Sequence, residues 1–284
     1  STGGDVTGSN ISNPSGGGFN DQIPSGASCG SYASLVGSGG TPGIIHSGAG
    51  SANFGSGQAS ANPYNWVVGG LTYPDVYIPS TAGIIKTSYN YISSIAQQSG
   101  LTPVNIAGFC GAGGISNCTL SSSLPNGVYI SNGNLTLTGA SYTFPANRNF
   151  VILVNGDLSI QTEVHVPVGS TALFTSSRDI TVASTVGEVV TTSTRANVEG
   201  YYSADRDFKV LGINSCPTSD RRLNVAGSIV VNAALGGGAF SYERDFCAGN
   251  LECPVFQIQE RADFILNSPE FIKATRRVWR EVAP

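Results

Sequence analysis

Three aspartates stand where a polysaccharide-cleaving enzyme could use them. Asp157, Asp179 and Asp207 each precede an apolar-x-apolar triplet, Leu158-Ser159-Ile160, Ile180-Thr181-Val182 and Phe208-Lys209-Val210, so a structural repeat would set all three along one edge. Two carboxyl groups about 6.5–9.5 Å apart can act as general acid and general base in inverting glycoside hydrolysis. Adjacent turns of a stacked fold would provide such a spacing. The same position, however, holds Asn134 before Leu135-Thr136-Leu137 and Ser228 before Ile229-Val230-Val231. Asn and Ser cannot exchange protons as carboxyls do, yet all three residue types hydrogen-bond nearby backbone in turns. The substitutions therefore point to turn chemistry, and no catalytic residue is assigned.

Other reactive residues are sparse. His165 lies in the alternating run Glu163-Val164-His165-Val166 and His46 in Ile44-Ile45-His46-Ser47, neither within a Ser/His/Asp or Cys/His arrangement. Both read as surface or satisfied core residues. The six cysteines are Cys29, Cys110, Cys118, Cys216, Cys247 and Cys253, an even set of the kind that pairs in exported chains. Cys110 with Cys118 and Cys247 with Cys253 are close enough to close small loops, which leaves Cys29 with Cys216, among fifteen possible connectivities. Their spacing lacks the CxxC pattern of a zinc site, so no metal is expected. The glycine runs lack the Lys-Ser/Thr of a phosphate loop, and no cofactor is expected. Asn10-Ile11-Ser12, Asn117-Cys118-Thr119 and Asn134-Leu135-Thr136 fit a glycosylation acceptor pattern that arises easily by chance in such a chain.

The elements that would position these residues follow from the repeat itself. The first apolar residues of the five segments, Leu135, Leu158, Ile180, Phe208 and Ile229, lie 23, 22, 28 and 21 positions apart. Short strands recurring at about 20–30 residues suit stacked coils, in which equivalent strands lie in parallel about 4.8 Å apart. Further strands precede each turn, as in Val128-Tyr129-Ile130 and Phe150 to Val154, and Thr185 to Ala196 reads as an insertion looped out on one face. The expectation is a mainly β chain built on a parallel β-helix or β-solenoid, with an antiparallel β-sandwich as the alternative.

Composition divides the chain into four regions. Residues 1–60 form a Gly/Ser-rich arm that composition alone would class as disordered, although Gly-rich backbone can also lie flat on a sheet face or a neighbouring subunit. Residues 61–120 read as a small mixed α/β region. Within it, Trp66-Val67-Val68 and Leu71-Thr72-Tyr73 suggest a hairpin, and a helix capped by Ser80 or Thr81 runs to about Gln98 with Gly100 as its stop. Tyr89 and Tyr91 read as packing residues. Residues 121–246 hold the repeat, and 247–284 form a charged tail in which Ser268-Pro269-Glu270 opens a short helix.

Only 11% of the 284 residues are charged, and the formal net charge is −4. Before Arg148 the charged residues are Asp5, Asp21, Asp75 and Lys86 alone. Without a concentrated basic surface a nucleic-acid partner is not expected. The chain contains no Met, which leads to the expectation that a leader or anchor lay upstream of Ser1, and no stretch has the roughly 18 apolar residues of a membrane span.

Several segments together resemble a family of uncharacterised secreted or surface proteins common in bacteria of the candidate phyla radiation (Patescibacteria). They are Ile23-Pro24-Ser25, Val151 to Ile160, Asp179 to Gly187, Glu199 to Asp205, Arg244-Asp245-Phe246, Pro254 to Leu266 and the ending Trp279 to Pro284. The likeness covers most of 120–284. It implies export and a surface role and transfers no catalytic residue. The chain departs from the family's pattern before Asp5, so membrane attachment is expected only through a segment upstream of Ser1.

These readings combine into one expectation. The chain is an extracellular or cell-surface structural protein, not an enzyme, that forms a homo-oligomer or polymer when its arm or tail adds a strand to a neighbour's sheet edge. The alternatives are a β-helix polysaccharide lyase or hydrolase, marked by acids or an acid and an Arg converging across turns, and a glycan-binding adhesin.

Overall fold

The computed structural model describes residues 88–213, 220–231, 239–246, 255–259 and 261–273, together with the backbone strands 5–8, 10–12, 44–46 and 66–67. In chain order the first strands are β1 (Asp5–Gly8), β2 (Asn10–Ser12), β3 (Ile44–His46) and β4 (Trp66–Val67). Helix α1 (Ser88–Gln98) and the short β5 (Val104–Asn105) lead into the first coil, β6 (Gly127–Ser131), β7 (Leu135–Leu137) and β8 (Ser141–Thr143). The second coil is β9 (Asn149–Val154), β10 (Leu158–Ile160) and β11 (Glu163–His165). Strands β12 (Thr171–Ser176), β13 (Ile180–Val182), β14 (Val198–Ala204), β15 (Phe208–Val210), β16 (Leu223–Val231), β17 (Ala239–Tyr242) and β18 (Phe256–Gln259) continue the winding. Helices α2 (Ala262–Asn267) and α3 (Glu270–Lys273) follow.

The named strands pair in parallel throughout, which makes the fold a β-solenoid and excludes the sandwich. Three rows run along it. One carries β6, β9, β12, β14 and β16, a second β7, β10, β13, β15 and β17, and a third β8, β11, the starts of β14 and β16, and β18. Each row stacks like on like. Tyr129, Ile152, Phe174, Tyr202 and Ile229 form the interior column of the first row, and Leu135, Leu158, Ile180, Phe208 and Phe240 that of the second. Tyr142, Val164, Val198, Val225 and Ile258 form the third. All fifteen are buried, and each such side chain contributes about 1.5–3 kcal/mol by leaving water. Aromatic members stack as well, Phe174 on Tyr202 with ring centroids 5.1 Å apart and Phe208 on Phe240 at 5.9 Å.

The register corrects one reading of the repeat. Ser228-Ile229-Val230-Val231 lies within β16, in the first row, paired with Tyr201 to Ala204. The fifth member of the second row is Ala239-Phe240-Ser241-Tyr242, since Phe208 pairs with Phe240. Strand β16 spans a corner, so its second half mimics the motif while belonging to another face. The expected insertion, Thr185 to Ala196, lies in the connection from β13 to β14, which forms no strand beyond an isolated antiparallel bridge of Glu188 with Arg222.

Helix α1 lies against the outer face of the first row, with Tyr89, Ile92 and Ala96 packed near Val128, Val151 and Leu153. Its first turn is capped from outside, the Tyr89 N–H donating to Asp205 Oδ1 at 3.2 Å, where a carboxylate also meets the positive end of the helix dipole. At the other end Gly100 takes φ +74°, and Leu101 N–H donates to Ala96 O while Gly100 N–H donates to Gln97 O, the bonding of a Schellman stop. Tyr89 is buried and Tyr91 is exposed. The expected helix residues 80–87 and the hairpin partner 71–73 lie outside the described residues, while Trp66–Val67 pairs in parallel with Ile44–Ile45. Among the described residues no helix is long and apolar enough to cross a membrane.

Candidate functional site

The repeated acids form a hydrogen-bonded stair. Asn134 Oδ1 accepts the Asp157 N–H at 2.9 Å, Asp157 Oδ1 that of Asp179 at 3.2 Å, Asp179 Oδ1 that of Asp207 at 3.2 Å, and Asp207 Oδ1 that of Ala239 at 2.9 Å. Each side chain thus fixes the turn of the next coil. Basic residues line the outside, Arg178 4.0 Å from Asp157, and Lys209 2.8 Å from Asp179 and 3.0 Å from Asp207. Burial pulls the Asp179 carboxyl up, but the Lys209 hydrogen bond, the Asp207 N–H and the charges of Lys209 and Arg206 outweigh it and leave it below its ordinary value. A carboxylate held ionised and bonded to backbone is a structural acceptor, and Asn134 performs the same task without a charge.

A second charged group is one that sequence spacing did not reveal. Strand β11 directs Glu163 and His165 to the same side, and Glu199 from β14 arrives beside them. His165 Nε2 lies 3.2 Å from Glu163 Oε2, and Nδ1 lies 3.9 Å from Glu199 Oε1. Arg195, from the insertion, binds both Glu163 oxygens at 2.8 and 2.9 Å and also pairs with Glu188. Arg261, just before α2, reaches Glu199 at 3.0 Å and Asp263 at 2.7 Å and lies over the Phe264 ring. The Glu199 carboxylate also accepts the Val166 N–H at 2.8 Å.

The electrostatics follow from these partners. Glu199 raises the His165 imidazole most, burial opposes it, and Glu163 adds to the rise. Burial would raise Glu163 and Glu199, but Arg195 and His165 bring Glu163 below its usual value, and His165, the Val166 N–H and Arg261 do so for Glu199. Acid, imidazole and guanidinium converge here across two coils, as a glycan-cleaving site would require. Neither carboxyl is kept protonated, which a general acid needs. What the group does mechanically is plain: Arg195 fastens the insertion and Arg261 fastens the tail to the third row.

Two buried arginines brace the long connections. Arg244 donates to Leu211 O at 3.1 Å, Arg221 O at 2.9 Å and Ala183 O at 2.8 Å, and burial lowers its guanidinium to about 10 against the pull of Asp220. Arg222 donates to Thr191 O, Asn224 Oδ1 and Gln257 Oε1. An apolar groove of about 650 Å³ lies where the end of α1, the starts of β6 and β9, and α3 meet. Two of its polar lining residues are engaged, Asn126 Oδ1 by the Asn149 N–H at 2.7 Å and Asn149 Oδ1 by the Thr171 hydroxyl at 3.0 Å.

The two ends of the solenoid differ. At the first coil, Cys110 and Cys118 form a disulfide. Cys118 bridges to β7, donating to Thr136 O at 2.7 Å and accepting from the Thr138 N–H at 2.9 Å. Together with β5 on β6, this loop closes the end. Cys29, Cys216, Cys247 and Cys253 lie outside the described residues. At the last coil, β18 pairs with Leu223 to Ala226 of β16 and ends, and the next stretch of β16, Ser228 to Val230, pairs with Asp5 to Thr7 of β1. Strand β2 pairs likewise with β17, Asn10 opposite Ala239 and Ile11 opposite Phe240. His46, in β3, takes its place one strand further along, on β1.

No protein-family model, curated protein or solved structure matches the chain.

Proposed function

We propose that the chain is an extracellular structural protein that self-assembles into a filament or surface layer through strand addition by its arm or tail. The observation that carries this reading is the continuation of both main rows by N-terminal strands at the last coil. A parallel sheet edge is a template for another extended segment, and here the occupant comes from the opposite end of the sequence. The disulfide in the end cap and the low charge support an extracellular setting. Sedimentation velocity of the intact protein over a wide concentration range tests it. Self-association that grows with concentration is expected, and a single monomeric species throughout contradicts the reading.

The second reading, a glycan hydrolase or lyase, draws on the meeting of Glu163, His165, Glu199 and Arg261. Its test is turnover of a panel of acidic and neutral polysaccharides by the intact protein and by Glu163→Gln and Glu199→Gln. Cleavage that both substitutions abolish, with folding retained, would favour it over the structural reading.

A further inference from the structure

We infer that the edge presented by Ser228–Val230 of β16 and Ala239–Ser241 of β17 is a binding slot for the arm of a second copy of this chain, which inserts Asp5–Gly8 and Asn10–Ser12 in the register seen here. This rests on the self-assembly reading and names its partner, its site and its register.

The slot exists because the chain abandons its own winding there. Through the first four coils, each third-row strand leads at the next corner into a first-row strand. After Gln259, opposite Ala226, the chain leaves for α2 instead. The row beyond Gly227 therefore has no successor from the C-terminal side, and its N–H and C=O groups need a strand from elsewhere.

The arm matches that vacancy residue by residue. In register, Val6 falls opposite Ile229, which follows Phe174 and Tyr202 in the first row, and Ile44 and Trp66 take the next two places. Ile11 falls opposite Phe240, which follows Ile180 and Phe208 in the second row. Asn10 falls opposite Ala239, at the position that Asn134, Asp157, Asp179 and Asp207 occupy in the stair. Ala239 has no side-chain oxygen to continue the stair, and the arm restores an Asx residue there. Thus Asn10-Ile11-Ser12 is another copy of the repeat motif, displaced to the start of the chain.

Identical pairings are open to an arm from the same molecule or from another. Twenty residues lie between Val67 and Ser88, a reach of up to about 70 Å, whereas β4 and β14 stand four strand spacings apart in the row, roughly 19 Å. The connection does not restrict the arm to its own slot. Exchange of one element between identical chains is head-to-tail when each arm serves the next molecule, and such contacts propagate unless the rotation closes them. The disulfide-bearing cap leaves the first coil without an equivalent slot, which gives the assembly one direction.

The test uses full-length chains. One carries Thr7→Cys and the other Val230→Cys, positions paired in register. They are mixed at high concentration, oxidised, and searched by peptide mass spectrometry for a 7–230 disulfide between differently isotope-labelled chains. A control replaces Val230→Cys with Ser228→Cys, two positions out of register. The expected result is a 7–230 interchain link well above the 7–228 control. A chain bearing both Thr7→Cys and Val230→Cys that forms only the intrachain link, with no interchain product in the mixture, would overturn the inference. Filaments persisting in that case would keep the assembly reading and place its contacts elsewhere. Interchain links without filaments would uphold the slot and remove the filament.

Discussion

Gly227 sits directly over Gly200 at the corner between the third and first rows, and a Cβ on Gly227 would collide with the Gly200 carbonyl oxygen. Both glycines take positive φ, +139° and +141°, a region where side chains are strained. Gly227→Ala should destabilise the protein by about 2–4 kcal/mol through the combined clash and strain, measured by urea unfolding. Stability equal to the parent would show that the corner is looser than its geometry implies.

Asp179 is the most heavily bonded step of the stair. Asp179→Ala removes the acceptor of the Asp207 N–H and the partner of Lys209 and should cost about 1–2 kcal/mol. Asp179→Asn keeps a side-chain oxygen and should cost less. Unfolding midpoints of the two variants check this order, and an Asn variant with full stability but lost glycan cleavage would reassign the residue to catalysis.

Arg244 joins three separate segments through their carbonyls. Arg244→Ala leaves those groups and Asp220 without their buried cation and should cost about 3 kcal/mol or more. Arg244→Lys should recover only part of the loss, since one ammonium cannot reproduce the planar guanidinium fork. Thermal and chemical unfolding read both effects.

The imidazole between Glu163 and Glu199 makes stability depend on pH. Its folded pKa is raised above the ordinary 6.5, so its contribution is fully present below that value and is lost as pH rises through the folded pKa. The lowered Glu163 and Glu199 carboxyls act in the opposite direction, contributing above their ordinary 4.5 and losing that contribution as pH falls through their folded pKa values. The stability advantage of the parent over His165→Gln should therefore be larger at pH 5.5 than at pH 8.5 (chosen, respectively, about a unit below and two above the ordinary histidine value). Urea titrations at both pH values settle it, and an advantage that grows with pH would contradict the arrangement.

The columns of the solenoid were legible because Leu135, Leu158, Ile180 and Phe208 recur with a turn residue before each. The fifth member was not, because Ala239 carries no polar side chain and because Ser228-Ile229-Val230-Val231 imitates the motif from a neighbouring face. Asn10-Ile11-Ser12 was legible only as a glycosylation pattern, although it shares its form with Asn134-Leu135-Thr136. An Asx residue, an apolar residue and a Ser or Thr in succession produce both signals. The charged group escaped for a different reason, since Arg195 and Arg261 come to Glu163 and Glu199 from 32 and 62 positions away, and no local spacing encodes contacts between an insertion, a tail and a coil.

The central claim is that the N-terminal strands complete the open coil and that this contact builds assemblies. Electron microscopy of the concentrated intact protein beside a chain lacking residues 1–12 tests it most directly. Regular filaments or sheets from the intact chain, absent from the shortened one, are the predicted result. Dispersed monomers from the intact chain at every concentration would contradict it.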